Sequence, residues 1–96
     1  MIQTFRHKGL ERFFETGSKS GIQPAHAKRL RLQLSVLNRA KSLADLPAAW
    51  RPHRLQGEAG AGGLGQHCAI WVSANWRLTF LFDHGDVHLL DYLDYH

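Results

Sequence analysis

The C-terminal segment, residues 75–96, most constrains how this chain can fold. Its two apolar-rich parts, residues 76–82 and 87–92, have the composition of β-strands and flank a short polar stretch at 83–86. That stretch has turn chemistry, and Gly85 can adopt positive φ without steric cost. The pattern predicts an antiparallel hairpin, which needs further elements to cover its apolar face.

Three more strand patterns lie upstream of the hairpin. Residues 67–73 lead into it through the turn pair Ala74-Asn75, so three consecutive strands should form an antiparallel meander. Residues 51–56 predict another short strand, and loose alternation in residues 1–5 predicts a first one. The glycine-rich segment between these patterns, residues 57–65, lacks the strand-to-helix setting of a phosphate-binding loop, and we interpret it as a flexible hairpin tip.

Helical spacing of apolar residues predicts two helices before most of the strands. The first helix is marked by apolar residues at i, i+3 and i+4: Leu10, Phe13 and Phe14. It should begin near His7, and Gly17 can end it. The second should begin at Pro24 and run to about Lys41. Residues 42–50, interrupted by a proline, predict a turn or a short 3₁₀ segment.

The second helix separates apolar from basic residues. Its apolar positions fall within an arc of about 80° and predict a core face: Ala27, Leu30, Leu34 and Leu37. Lys28, Arg31 and Arg39 fall within a similarly narrow arc elsewhere on the helix. This basic arc is either a solvated face or a contact surface.

Helices followed by strands are the α+β pattern. We therefore expect an α+β fold in which two N-terminal helices pack on one face of a curled, mainly antiparallel sheet of four to five strands. Ninety-six residues leave no room for a second core, so residues 1–96 should form a single domain.

Charge is distributed unevenly along the chain. Residues 1–54 carry eleven Lys and Arg against three acids, a net of +8, whereas residues 55–96 carry one Arg against five acids, a net of −4. A basic half suits a polyanion or an acidic partner surface. No apolar run approaches the roughly 20 residues of a membrane helix, and no signal peptide is evident, so we expect no membrane association. The single cysteine, Cys68, excludes an intrachain disulfide and fits a reducing cytoplasm.

The motifs of several site classes are missing from the sequence. None of the seven histidines has the spacing of a zinc site, so no metal site is predicted. There is no nucleophile elbow and no P-loop. Cys68 lies inside a predicted strand, where a cysteine is more often a small buried apolar group than a nucleophile.

A few polar residues on the predicted sheet could carry chemistry. Arg77 is the only Lys or Arg in residues 55–96, and it is either a salt-bridge partner or a phosphate clamp. The terminal Asp94-Tyr95-His96 is either a frayed tail or part of a site. Attack of a ribose 2′-OH on its phosphate needs a base, an acid and a cation, which His, Asp and Arg can supply without a metal.

These residues resemble the HigB-type toxins of bacterial toxin–antitoxin modules, within the RelE-like group (also called plasmid maintenance system killer proteins). The resemblance covers nearly the whole chain. Its landmarks are Phe5 with His7-Lys8-Gly9-Leu10 and Phe14, Gly21-Ile22, Pro24 through Ala27, Asp45-Leu46, His53-Arg54-Leu55-Gln56-Gly57, Val72 through Phe80, Gly85-Asp86 and the terminal Asp91-Tyr92-Leu93-Asp94-Tyr95-His96. It implies a RelE-like microbial RNase fold. It also implies a ribosome-dependent endoribonuclease that cuts mRNA in the ribosomal A site of the bacterial cytoplasm, without a cofactor.

The resemblance also implies partners and residue roles. A HigA-like helix-turn-helix antitoxin would neutralise the toxin, and their complex would bind operator DNA through the antitoxin. Arg77 matches the family's phosphate-contacting Arg, and His53 matches its upstream active-site His. At the terminus His96 matches the family's catalytic His, and Asp94 and Tyr95 match the acid and aromatic beside it. The candidate RNA contacts are Lys28, Arg31, Arg39, Arg51, Arg54 and Gln56.

The chain departs from the family pattern at one candidate RNA contact. Gln56 stands where family members often carry Lys, which removes one active-site cation, and Arg54 compensates for it only if the two side chains share a face. Two alternatives therefore stay open. One is a catalytically weakened toxin that acts mainly as an antitoxin-binding, co-repressing module, and the other is an RNase that needs no ribosome.

Overall fold

The computed structural model describes residues 1–55 and 66–94, with Gln66 described by its backbone alone. Two helices precede four strands that pair antiparallel in the order β1-β2-β3-β4. Their bounds are α1 Lys8–Thr16, α2 Ala27–Arg39, β1 His53–Arg54, β2 Gln66–Ser73, β3 Trp76–Asp83 and β4 Asp86–Asp94. The predicted α+β class and the two N-terminal helices are confirmed.

Helix α1 has a defined cap at each end. His7 precedes it in an extended conformation, and its Nδ1 accepts a hydrogen bond from the Leu10 amide at 2.9 Å. Gly17 ends the helix with φ 82°, the left-handed conformation that glycine adopts without a Cβ penalty. The predicted bounds of this helix are therefore confirmed.

Close backbone contact fixes the start of α1 against the following loop. A Cβ added to Gly9 would lie 2.6 Å from the carbonyl oxygen of Gly21, which is closer than van der Waals contact allows. Only glycine lets the two backbones approach this closely. The contact holds the loop that leads into α2 beside the first turn of α1.

Helix α2 begins and ends close to its predicted bounds. A 3₁₀ turn at Pro24–His26 leads into it, and it ends at Arg39, two residues before the predicted end. Two short 3₁₀ helices follow, Leu43–Asp45 and Ala48–Trp50, as the proline-interrupted pattern predicted. The first of them has a capping box between Ser42 and Asp45.

The predicted first strand pairs with the sheet at two isolated bridges and does not form a continuous strand. Ile2 and Phe5 form parallel bridges to Val87 and Leu90 of β4. Between these bridges Leu89 takes φ 55°, next to an irregularity in the β3–β4 register. A bulged partner strand interrupts regular pairing. The N-terminal segment is therefore an edge contact on β4 and not a regular fifth strand.

The meander of β2, β3 and β4 is confirmed, and β4 extends two residues beyond its predicted end to Asp94. Strand β1 is shorter than predicted, because only two of its residues pair with β2. Arg51, just before β1, takes φ 53° and so leaves the extended conformation that a longer strand would need. The predicted glycine-rich hairpin tip lies outside the described residues.

One apolar cluster joins α1 and α2 to a single face of the sheet. Its fully buried members come from both helices and from alternating strand positions: Leu10, Leu30, Leu37, Cys68, Ile70, Val72, Leu78, Phe80, Val87 and Leu90. The other residues of β2 and β3 point away from the helices and form a second face. We call this second surface the outer face. Among the described residues no helix is long and apolar enough to cross a membrane.

Candidate active site

Arg77 lies on the outer face at the end of β3 next to the Ala74-Asn75 turn. It pairs with Trp71 on β2 and with Leu93 on β4, and directly paired residues share a face. Its Nη1 donates hydrogen bonds to the carbonyl oxygens of Ala74 at 3.2 Å and Trp76 at 3.1 Å. These bonds hold the guanidinium over the turn.

The salt-bridge alternative for Arg77 finds no support in the described part of the chain. Within residues 1–55 and 66–94 no carboxylate lies within ion-pair distance of its guanidinium. The side chain is half-buried and keeps donors that backbone carbonyls do not use. A planar fork of free donors matches the geometry of a phosphate.

His53 lies on the same face, two strands away from Arg77. His53 pairs with Ala69 on β2, and Ala69 pairs with Thr79 on β3. Thr79 lies two residues from Arg77 along that strand. The imidazole Nδ1 lies 2.8 Å from the carbonyl oxygen of Arg51. Because a carbonyl only accepts hydrogen bonds, Nδ1 carries the proton and Nε2 is the nitrogen that can exchange a proton with a substrate.

The floor between Arg77 and His53 consists of small side chains. Ala69 and Thr79 are almost fully buried although they lie on the outer face. Two interstrand steps and a two-residue offset along the strands put the backbones of His53 and Arg77 roughly 12 Å apart.

Asp94 ends β4 on the opposite face from Arg77. It pairs with Trp76, whereas Arg77 pairs with Leu93. Since neighbouring residues of a strand point to opposite faces, the carboxylate and the guanidinium leave the sheet in different directions. Asp94 therefore lies at the same strand end as Arg77 but does not share its surface. Tyr95 and His96 lie outside the described residues.

A cluster of aromatic rings supports β4 just before Asp94. Tyr92 stacks on Trp76 with 4.4 Å between ring centroids, and its hydroxyl lies 2.6 Å from Nδ1 of His26. Burial raises the pKa of Tyr92, and the charge of Asp94 adds to that rise. Burial, and then the charge of Arg29, lower the pKa of His26. The cluster ties the 3₁₀ turn before α2 to the open end of the β3–β4 hairpin.

Comparison with known proteins connects this geometry to a family. The family model described as RelE-like toxin of type II toxin-antitoxin system HigB matches residues 3–96. The Proteus vulgaris protein named Endoribonuclease HigB is 36% identical over 97 residues, and the match spans 100% of both chains. This chain belongs to the HigB-like toxin family. The resemblance read from the sequence is confirmed.

The candidate RNA contacts of this HigB-like toxin are divided among several surfaces. Arg31 and Arg39 line a groove between α1 and α2, and Lys28 lines a different groove beside α2. Arg54 pairs with Cys68, which puts it on the helix-packed face, away from His53. The three candidate contacts on α2 therefore do not line a single groove.

The prediction that Cys68 is a small buried apolar group is confirmed. Cys68 is fully buried, and burial raises its pKa to about 11, so the thiol stays protonated near neutral pH and serves as a small apolar group. Gln56 lies outside the described residues. Within those residues no group of three or more His, Cys, Asp or Glu could hold a metal ion.

Two residues near Arg77 were not predicted as functional. Trp71 shares the outer face with Arg77, and its Nε1 donates to the same carbonyl oxygen, that of Ala74, at 3.0 Å. Arg29 approaches the Trp71 ring from α2. Strand alternation could have shown Trp71, because it is a large aromatic out of phase with Ile70 and Val72. Nothing in the sequence indicates the contact with Arg29.

Proposed function

We propose that this HigB-like toxin is an endoribonuclease that inhibits translation by cutting mRNA in the ribosomal A site. Family membership and the name of the Proteus vulgaris relative support ribonuclease activity. The observation that carries the proposal is the shared outer face of Arg77 and His53, with a guanidinium that no described carboxylate neutralises.

In the proposed reaction the ribose 2′-oxygen attacks the adjacent phosphorus while the bond from phosphorus to the 5′-oxygen breaks. One imidazole accepts the 2′-OH proton, and an acid gives a proton to the 5′-oxygen. The products are a 2′,3′-cyclic phosphate and a 5′-hydroxyl end. Arg77 binds the phosphate and stabilises the charge that builds up on it. His53 exchanges a proton through Nε2, and His96 is the second acid–base residue.

The end of β4 supplies the remaining proposed site residues. Tyr95 and His96 follow Asp94 directly in the sequence, and Asp94 ends β4 beside the strand position of Arg77. Tyr95 stacks on a base or donates a hydrogen bond. Asp94, which leaves the sheet on the opposite face, acts on the orientation of the residues after it.

The proposed partners follow from the family. A type II toxin implies an antitoxin partner, and we assign a HigA-like helix-turn-helix protein to that role. The toxin contacts the ribosome and mRNA directly, contacts operator DNA only through the antitoxin, needs no metal and acts in the bacterial cytoplasm. The basic residues 28, 31, 39, 51 and 54, together with residue 56, contribute RNA contacts whose affinity falls with salt.

The purified toxin is incubated in three reactions. The first contains mRNA on programmed ribosomes, and the second contains the same mRNA alone. The third contains the programmed ribosomes plus EDTA at a constant free Mg²⁺ concentration. Mapping of 5′-hydroxyl ends should show new ends at the A-site codon only when ribosomes are present. Cutting of the naked mRNA at the same rate would replace the proposal with a ribosome-independent RNase. The absence of new ends in every arm would refute nuclease activity and leave an antitoxin-binding module.

A further inference from the structure

Two arginines converge on the indole ring of Trp71. The guanidinium carbon of Arg29, from α2, lies 5.4 Å from the ring centroid, and that of Arg51 lies 5.5 Å from it. Arg29 and Arg51 are exposed, and Trp71 is half-buried on the outer face. Each contact is a cation–π interaction, in which the guanidinium is attracted to the negative face of the ring. We call these three residues the Arg-Trp-Arg stack.

The stack is held from several sides. The Gln33 amide donates to the Trp71 carbonyl oxygen at 2.9 Å, which fixes α2 against this part of β2. The Trp71 indole N–H donates to Ala74, whose carbonyl oxygen also accepts from Arg77. The ring therefore has a fixed position relative to both α2 and Arg77.

Arg51 reaches the ring from an uncommon backbone conformation. Its φ of 53° is left-handed, a conformation that is strained for a residue with a Cβ. Its carbonyl oxygen accepts the hydrogen bond from Nδ1 of His53. The same strained residue thus places a cation on Trp71 and fixes the imidazole of the proposed active site.

The charge of the stack is not neutralised within the described residues. No carboxylate of residues 1–55 or 66–94 lies within ion-pair distance of Arg29, Arg51 or Arg77. Two guanidinium groups held against one ring repel each other, and an anion between them or beside them would turn that repulsion into attraction. The arrangement is therefore more stable with an anion bound.

We propose that the Arg-Trp-Arg stack is a second phosphate-binding site for an RNA strand, adjacent to the phosphate held by Arg77. The inference depends on the proposed function, because it extends the same bound strand. Two features favour RNA over an acidic protein segment. Arg77 and the stack share the Ala74 carbonyl oxygen, and the planar forks match phosphate.

A groove next to the stack gives the strand a path. It holds about 730 Å³ and is lined by the cations Lys28 and Arg29 and by the apolar side chains of Leu32 and Trp50. Arg29 belongs to both the groove and the stack. Cations beside apolar and aromatic surface are the usual composition of single-strand nucleic-acid channels. The bound strand should therefore run from Arg77 past Trp71 toward the start of α2.

The test uses the full chain and a fluorescent, 2′-O-methylated RNA oligonucleotide, which has no 2′-OH to attack and cannot be cut. Anisotropy titrations at several salt concentrations give the affinity and its salt slope for wild type and for the double variant Arg29→Gln/Arg51→Gln. Loss of two phosphate contacts should make the slope shallower by about 1.4 and weaken binding about tenfold or more at low salt.

The matched control is Arg12→Gln/Lys19→Gln, which changes the net charge equally at exposed positions of α1 and the following loop. It should alter affinity less than twofold. Trp71→Leu keeps both cations but removes the ring, so it should weaken binding severalfold with little change in slope. Thermal unfolding of each variant should show that the fold is retained.

Three results would overturn the inference. They are wild type without measurable RNA affinity, a double variant with the slope and affinity of wild type, and a control that loses as much as the double variant. Loss of antitoxin affinity with unchanged RNA affinity would assign the stack to a protein partner instead. A wild type that binds the oligonucleotide with the expected slope but cuts no mRNA on ribosomes would refute the proposed function and leave this inference standing.

Discussion

The two faces of the sheet carry opposite chemistry on the same strands. Toward the helices, Leu78 and Phe80 of β3 are fully buried in the apolar cluster. On the outer face of the same strand, Arg77 is half-buried and donates to the backbone carbonyls of Ala74 and Trp76. Strand alternation thus assigns stability to one face and the proposed chemistry to the other. Substitutions one to three residues apart should therefore have effects of different kinds.

The largest effect is expected for Phe80→Ala on the helix-packed face. Removal of a fully buried aromatic side chain leaves a cavity and should lower the free energy of unfolding by about 3–5 kcal/mol. Chemical denaturation measures the loss. The matched control is Leu81→Ala, one residue along and half-buried on the outer face, which should lose less than half as much. Equal losses would show that the two faces do not differ in their contribution to folding.

The outer face should show the reverse behaviour in Arg77→Ala. Loss of a group that stabilises transition-state charge lowers the cleavage rate by about 10²–10³-fold, equivalent to about 3–4 kcal/mol. Stability should change little, because the side chain lies on the outer face, opposite Leu78 and Phe80. Ribosome-programmed cleavage and thermal unfolding measure the two quantities on the same sample.

Arg77→Lys provides the control for charge alone. It keeps the positive charge but loses the planar fork, so its cleavage rate should fall between those of wild type and the alanine variant. If Arg77→Ala cleaves like wild type, Arg77 has no part in the reaction. If the Arg77→Ala variant unfolds, the outer face also stabilises the fold, and the expected difference between the two faces is wrong.

Alternation and turn chemistry made much of this difference predictable from the sequence. The meander, Gly85 at positive φ and the outward direction of Arg77 depend on local spacing, and all three are observed. The face of Asp94 could also have been derived, since it requires only the register between Trp76 and Asp94. That register depends on the β3–β4 turn and on the irregularity between Thr79 and Leu81, and the residue types did not indicate the irregularity.

Contacts between distant segments could not be predicted. Arg29 and Arg51 meet at Trp71 because Gln33 ties α2 to the Trp71 carbonyl oxygen and because Arg51 takes a left-handed backbone conformation. Neither cause has a local signal in the sequence. The same holds for His26 and Tyr92, which are 66 residues apart and share a hydrogen bond. Such contacts depend on packing, and the sequence specifies packing only through the whole fold.

A smaller effect on the free energy of unfolding is expected at Tyr92, which lies two residues before Asp94 on β4. Tyr92 is almost fully buried, and Tyr92→Phe keeps its ring on Trp76 but removes the hydroxyl that bonds to His26. The free energy of unfolding should fall by about 0.5–1.5 kcal/mol, the net contribution of one hydrogen bond. Chemical denaturation at pH 8 measures it. No loss, or a loss as large as that of Phe80→Ala, would contradict this account of the cluster.

The smallest effect concerns the pH dependence of the same cluster. Burial and Arg29 hold the pKa of His26 below its usual 6.5, so the unfolded chain takes up this proton more readily than the folded one. The stabilisation from neutral His26 is fully present above about pH 6.5 and is lost as the pH falls through the lower folded pKa. His26→Gln can still bond to the Tyr92 hydroxyl but does not titrate. Unfolding free energies measured between pH 5 and 8 should therefore fall less steeply toward acid in His26→Gln than in wild type. Parallel curves of unfolding free energy against pH would show that His26 is not the responsible group.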